Sequence, residues 1–162
     1  MAYLTNPNIN PNTNPKPNSN IKVTVTTKIK KLSKFAVNTI IGPESFIKGD
    51  IEASGFTRVD GSVKGNLHAE GRVVVGRGAR MKSNIIGTSV IIGGVVDGNI
   101  LASERVVVLS SAMILGDITT RRIEAGEGCL IHGKVKICQT QESWEQAKSE
   151  FRDKRQITSQ RL

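Results

Sequence analysis

From Thr39 to Cys138 apolar and polar residues alternate with period two, and the alternation recurs as a larger unit along the chain. Glycine or serine, a mostly polar residue and a branched aliphatic mark each recurrence: Gly49-Asp50-Ile51, Gly65-Asn66-Leu67, Ser83-Asn84-Ile85, Gly98-Asn99-Ile100, Gly116-Asp117-Ile118 and Gly133-Lys134-Val135, spaced 16, 18, 15, 18 and 17 residues apart. Two residues after each aliphatic comes a second column, Ala53, Ala69, Gly87, Ala102, Thr120 and Ile137, small until its last member. A third column, Ile41, Val59, Val75, Ile92, Val108 and Ala125, precedes the triplets. In the longer units it is followed by Ser45 and Ile47, Ala79 and Met81, Ala112 and Ile114, or Cys129 and Ile131; in the two short units Val63 and Val96 stand in for the second of these.

Period two is the signature of strands whose side chains point alternately inward and outward. A unit of this length holds roughly three short strands with bends between them, so one turn of chain encloses a triangular core. Glycine at the bends tolerates φ > 0 and close backbone approach. The pattern therefore predicts an all-β fold, a single-stranded parallel β-helix of about six coils with a triangular cross-section, rising about 4.8 Å per coil to a rod of about 29 Å.

Residues 1–38 are a different kind of sequence. Pro7, Pro11, Pro15 and Pro17 are interleaved with asparagines and no apolar periodicity accompanies them, which predicts a disordered arm. The arm holds six lysines and no acid, +6 of the total +9, while the repeat carries 12 basic and 10 acidic residues and the tail contributes the remaining +1. No apolar run reaches the length of a signal peptide or a membrane span, which predicts a cytoplasmic protein unless it is peripherally attached. Residues 139–162 form a charged tail in which Trp144, Ala147 and Phe151 recur at spacings of three and four. The spacing fits one face of a short helix, and equally an unstructured tail with an incidental apolar stripe. Of the two cysteines, Cys129 falls in an inward small-residue column and is expected to be a buried structural thiol.

The repeat is poor in the groups an active site requires. His68 belongs to the second coil and His132 to the sixth, about four rises of 4.8 Å apart, too far to share a metal bound at about 2 Å. Asp50 and Asp117 occupy the register of the asparagines and read as turn residues. Gly76-Arg77-Gly78 and Gly93-Gly94 lack the Lys-Ser/Thr ending and the strand-to-helix context of a phosphate loop, so no nucleotide, metal, other cofactor or small-molecule substrate is expected. The alternative enzyme class is a β-helical acyltransferase, which predicts strict six-residue repeats and a catalytic histidine near a long loop. Coil length here drifts, and neither feature is present.

The segments TIIGPESFIKGDIEASGFTRVDGSVKGNLHAEGRVVVG, VVDGNILASERVVVLSSAMILGDI and GEGCLIHGKV resemble, in this order, the bactofilin domain, from Thr39 to about Cys138. The resemblance implies a right-handed β-helical core between short disordered tails, polymerisation without nucleotide, and scaffolding of cell-wall enzymes, cell shape and polar or septal assemblies. It also implies a hydrophobic contact in the final coil, often through phenylalanine. Here Leu130 or Ile131 takes that place and no aromatic is present. With no cap visible at either end, the expected polymerisation interface is Ile40, Ile41 and Phe46 in the first coil and Leu130, Ile131, Val135 and Ile137 in the last, with the protein itself as partner. Family members often contact the membrane near the extreme N-terminus. In this chain the matching chemistry lies further in, at Lys28, Ile29, Lys30, Lys31, Leu32, Lys34 and Phe35. Three readings of that segment stand: contact with the anionic inner membrane, a solubilising linker, or phosphate contact with nucleic acid. The last is disfavoured because no aromatic platform or recognition motif accompanies the lysines.

No coil buries its apolar face alone, so the stack is stable only as a whole. Each buried Val or Ile contributes about 1.5 to 3 kcal/mol against an ordering cost of about 1 to 2 kcal/mol per residue, leaving little surplus. Val75→Asp or Val108→Asp is accordingly expected to abolish the cooperative thermal transition followed by circular dichroism; retention of that transition in both variants would take these residues out of the interior.

Overall fold

The computed structural model describes residues 37–159. Its strands are β1 (Val37–Ile41), β2 (Phe46–Lys48), β3 (Ile51–Ala53), β4 (Phe56–Val59), β5 (Ser62–Ala69), β6 (Arg72–Val75), β7 (Arg80–Ile92), β8 (Val95–Asp97), β9 (Ile100–Val108), β10 (Met113–Leu115), β11 (Ile118–Thr120), β12 (Ile123–Ala125), β13 (Leu130–His132) and β14 (Val135–Ile137). Every pairing is parallel and joins one coil to the next, which makes a β-solenoid of about six turns.

The pairings resolve into three faces. The first stacks β1, β4, β6, the end of β7, the end of β9 and β12. On the second lie β2, the start of β5, the start of β7, β8, β10 and β13. The third carries β3, the end of β5, the middle of β7, the start of β9, β11 and β14. β5, β7 and β9 are long because their ladder pairing continues around a corner.

Two-residue differences in coil length fall at the corner between the first and second faces, and one-residue differences at the corner between the third and first, where the register slips between Gly87 and Ser89. At the first of these corners four coils use a four-residue turn, closed by i to i+3 bonds from Ser45, Ala79, Ala112 and Cys129 amides to the carbonyls of Gly42, Gly76, Leu109 and Gly126. In the two short coils Asp60-Gly61 and Gly93-Gly94 make the same corner with two residues fewer. The face positions therefore stay in register while the coil length drifts.

The inward columns found in the sequence form one core, with Leu67, Ile85, Ile100 and Ile118 fully buried on the third face and Met81, Val96 and Ile114 on the second. The first face holds a further inward column that the alternation concealed: Thr57, Val73, Val90 and Val106 are all fully buried. It was hidden because Val73-Val74-Val75, Val90-Ile91-Ile92 and Val106-Val107-Val108 are apolar on both sides, and such runs show no period. Cys129 departs from expectation. It is only half-buried, because its coil is the last and no strand lies beyond it, whereas Cys138 is the buried thiol.

The corner between the second and third faces is built from two chemistries. Gly49, Gly65, Gly98, Gly116 and Gly133 have φ between 140° and 153°, where a Cβ is strained. Beside them runs a ladder of side-chain amides and carboxylates. Asn66 donates its backbone N–H to Asp50 Oδ1 at 2.9 Å, Asn99 to Asn84 Oδ1 at 3.0 Å, Asp117 to Asn99 Oδ1 at 3.1 Å and Lys134 to Asp117 Oδ1 at 3.1 Å. Asn84 Nδ2 donates to Asn66 Oδ1 at 3.2 Å and completes the column. The polar residue of each triplet thus satisfies, in most coils, an amide of the next coil.

A Cβ on Gly116 would press on the Gly98 carbonyl, whereas a Cβ on Gly49 in the first coil meets nothing within 4 Å. Gly49→Ala is expected to cost only the φ strain, about 1–3 kcal/mol, and Gly116→Ala that strain plus about 1–3 kcal/mol of overpacking. Chemical denaturation of the two variants checks the order; equal losses would contradict it.

Candidate polymerisation surfaces

Among the described residues β1, β2, β3, β12, β13 and β14 each pair on one side only, while each of the other strands has partners on both. Each end coil therefore presents three open strand edges, which are templates for pairing with another chain. Side-chain exposure separates the two ends. In the last coil Val135 is 43% and Ile137 50% exposed, although Ile118 and Thr120, directly beneath them in the same inward columns, are fully buried. Leu130 is also 50% exposed, pointing outward above Met113 on the second face. Ile131 is half-buried against the core.

At the first coil, Ile40 and Phe46 are 65% and 68% exposed and point outward. Ile41, expected at the interface, lies in the core at 5% exposure and serves first as the floor for Val59. Of the seven residues singled out for end contacts, the fold brings Leu130, Ile131, Val135 and Ile137 together on one coil and Ile40, Ile41 and Phe46 on the opposite one. Lys28, Ile29, Lys30, Lys31, Leu32, Lys34 and Phe35 lie outside the described residues. His68 pairs in register with Glu52 and Ile86 on the third face, and His132 with Leu115 on the second, so the two histidines do not converge.

A helix, α1 (Gln141–Ser159), follows the last coil and packs on the outside of the third face. Thr140 opens it as N-cap, its Oγ1 accepting from Ser143 N–H at 3.3 Å. Trp144, Ala147 and Phe151 form its buried stripe and join Leu101, Cys138 and Ile86 in a second apolar cluster. Arg121 stands 5.8 Å from the Trp144 ring centroid and donates to Gln141 Oε1 at 2.6 Å. Lys136 pairs with Glu150 at 3.0 Å. The helix covers a flank, and Val135 and Ile137 stay exposed at the coil edge beside it. On the first face Arg58 pairs with Asp60 at 2.6 Å; that hydrogen bond, then the carboxylate charge, raises the guanidinium above its ordinary value.

A parallel β-solenoid with open strand edges at both ends defines a class of protein suited to lengthwise association. The model of the family described as "Bactofilin: Polymer-forming cytoskeletal" matches residues 39–136, and the chain belongs to the bactofilin family. It is 31% identical over 110 residues to bactofilin BacP of Myxococcus xanthus, covering 68% of this chain and 46% of that protein. To bactofilin BacO of the same organism it is 29% identical over 109 residues, covering 67% of this chain and 86% of that protein. The matched stretch thus spans under half of BacP and most of BacO. Among solved structures it resembles the Thermus thermophilus bactofilin reconstructed as double helical filaments, with a TM-score of 0.58 and 30% identity over 62% of this chain and 99% of that one.

Proposed function

We propose that this chain is a non-catalytic scaffold that polymerises without nucleotide by joining the ends of its β-helix, like end to like end. The observation that carries this reading is the last coil, where Val135 and Ile137 occupy inward columns yet stand open to solvent. An apolar cross-section bordered by unpaired strand edges is stabilised by a second such surface, because burial and backbone pairing are gained together. Membership of a polymer-forming cytoskeletal family supports it, as does the filament formed by the Thermus relative. Ile40 and Phe46 supply apolar surface for the contact at the opposite end.

In the same reading the filaments organise cell-shape, cell-wall or polar machinery at the inner face of the cytoplasmic membrane, with cell-wall enzymes as clients. The protein is then cytoplasmic or peripherally attached. Among the described residues no helix is long and apolar enough to cross a membrane. The lysines between Lys28 and Lys34 contribute about 1 kcal/mol each near an anionic surface, and Ile29, Leu32 and Phe35 add apolar contact. A single copy binds weakly, but an array of copies on one filament multiplies the contact.

Negative-stain microscopy of the pure protein in nucleotide-free buffer tests the central reading, and filaments are the expected result. Ile131→Arg should reduce them to short oligomers or monomers while β-rich circular dichroism persists; unchanged filaments in that variant would exclude the last coil from the contact. For the arm, co-sedimentation with anionic liposomes is expected to be lost when Lys28, Lys30, Lys31 and Lys34 are replaced by Gln. A gel shift of DNA with no liposome binding would overturn the membrane assignment.

A further inference from the structure

Resting on the proposal that the chain works at an anionic membrane, we infer that the second face of the β-helix is itself a lipid-contact surface, so that the folded body lies against the bilayer as well as the arm. The outward side chains of this face sort along the axis. In the first three coils they include Lys48, Lys64, Arg80 and Lys82, all exposed. In the last two coils they include Met113, Leu115 and Leu130, exposed as well, and Phe46 stands exposed at the first coil. The face is a parallel ladder about 10 Å wide and 29 Å long, with a single acid, Asp97, among its outward residues.

Lys48, Lys64 and Lys82 are direct register partners, one coil apart at about 4.8 Å. Among the described residues none of the three stands in an ion pair. Like charges opposite one another on adjacent strands destabilise a sheet, whereas an anionic surface laid over the column turns the same charges into attraction. Met113, Leu115, Leu130 and Phe46 gain by leaving water, and the lysine stems lie on apolar surface while their ammonium groups reach the headgroups. Cationic and apolar side chains on one open face are the combination an anionic lipid interface takes.

Neither of the other faces offers it. The third is covered by α1 over Ile86 and Leu101. On the first, Arg58 is held by Asp60 and Arg105 by Ser89 Oγ at 3.2 Å, and Val74, Ile91 and Val107 are half-buried. A second copy is a poor occupant of the second face. Laid face to face in the same direction, two copies set lysine against lysine, and in opposite directions they set lysine against Met113 and Leu115. Nucleic acid would satisfy the lysines and leave the apolar residues in water.

An environment-sensitive fluorophore reads the contact directly. In the full-length chain carrying Cys129→Ser, with Cys138 buried and left in place, NBD attached at Leu115→Cys is expected to shift to the blue when vesicles of phosphatidylcholine and phosphatidylglycerol are added. NBD attached at Val74→Cys on the first face should not shift. Replacing Lys48, Lys64 and Lys82 together by Gln should raise the lipid concentration for half-sedimentation by about a hundredfold at low salt, without lowering the melting temperature. Wild-type binding with no shift at Leu115, or a triple variant that sediments like the wild type, would overturn this inference and leave the arm as the contact. A blue-shifted label before vesicles are added would assign the face to contact between copies instead. DNA retarded by the wild type and not by the triple variant, with no shift on vesicles, would assign it to nucleic acid. Failure of the wild type to sediment with the vesicles sinks the membrane reading itself, arm included.

Discussion

Everything in this molecule follows from parallel, in-register pairing of each coil with the next. A strand of three or four residues holds nothing by itself; its amides and its apolar side chains are satisfied only by the coils above and below. The core column Leu67, Ile85, Ile100, Ile118 is fully buried because each member has a neighbour on both sides. Val135 continues that column and is exposed for want of one. The constraint that stabilises the interior is therefore the one that leaves the ends reactive, and a structural polymer needs no further device.

Register is protected at the corners. The two-residue insertions of the longer coils lie in hydrogen-bonded turns between the first and second faces. At the next corner the glycines and the Asn/Asp ladder hold the main chain at a fixed distance from the coil below. Asn and Asp suit this position because a short side chain with an acceptor oxygen reaches the following amide without leaving the turn. Lys134 ends the ladder as a donor through its backbone, and its side chain offers no acceptor to a further coil.

The architecture was legible because the repeat carries it six times over. The triplets located the second-to-third corner, and the aliphatic columns that follow them point inward as their period requires. What the sequence concealed has physical causes. Val73, Val90 and Val106 were masked by runs of three apolar residues, in which inward and outward positions carry the same chemistry, and Thr57 by its polar side chain. Cys129 looked like a core residue because its column is buried at Ala79 and Ala112; a column cannot say that its last member lacks a neighbour. The apolar residues of the last coil were readable, but Ile41 belongs to the core more than to a surface. The pairing of Lys136 with Glu150 left no trace in the repeat, since it joins a strand to a helix outside it.

The docked helix has a consequence for how rods pack side by side. Trp144 and Phe151 seal Leu101 and Ile86 against the third face, so that flank is already occupied within each subunit. Among the described residues nothing packs over the other two flanks. On one of them Val74, Ile91 and Val107 make an aliphatic stripe, and on the other Lys48, Lys64 and Lys82 stack directly over one another. Lateral contact through the described residues is thus limited to two sides, one aliphatic and one cationic, a valence that suits ribbons and pairs better than a close-packed hexagonal array.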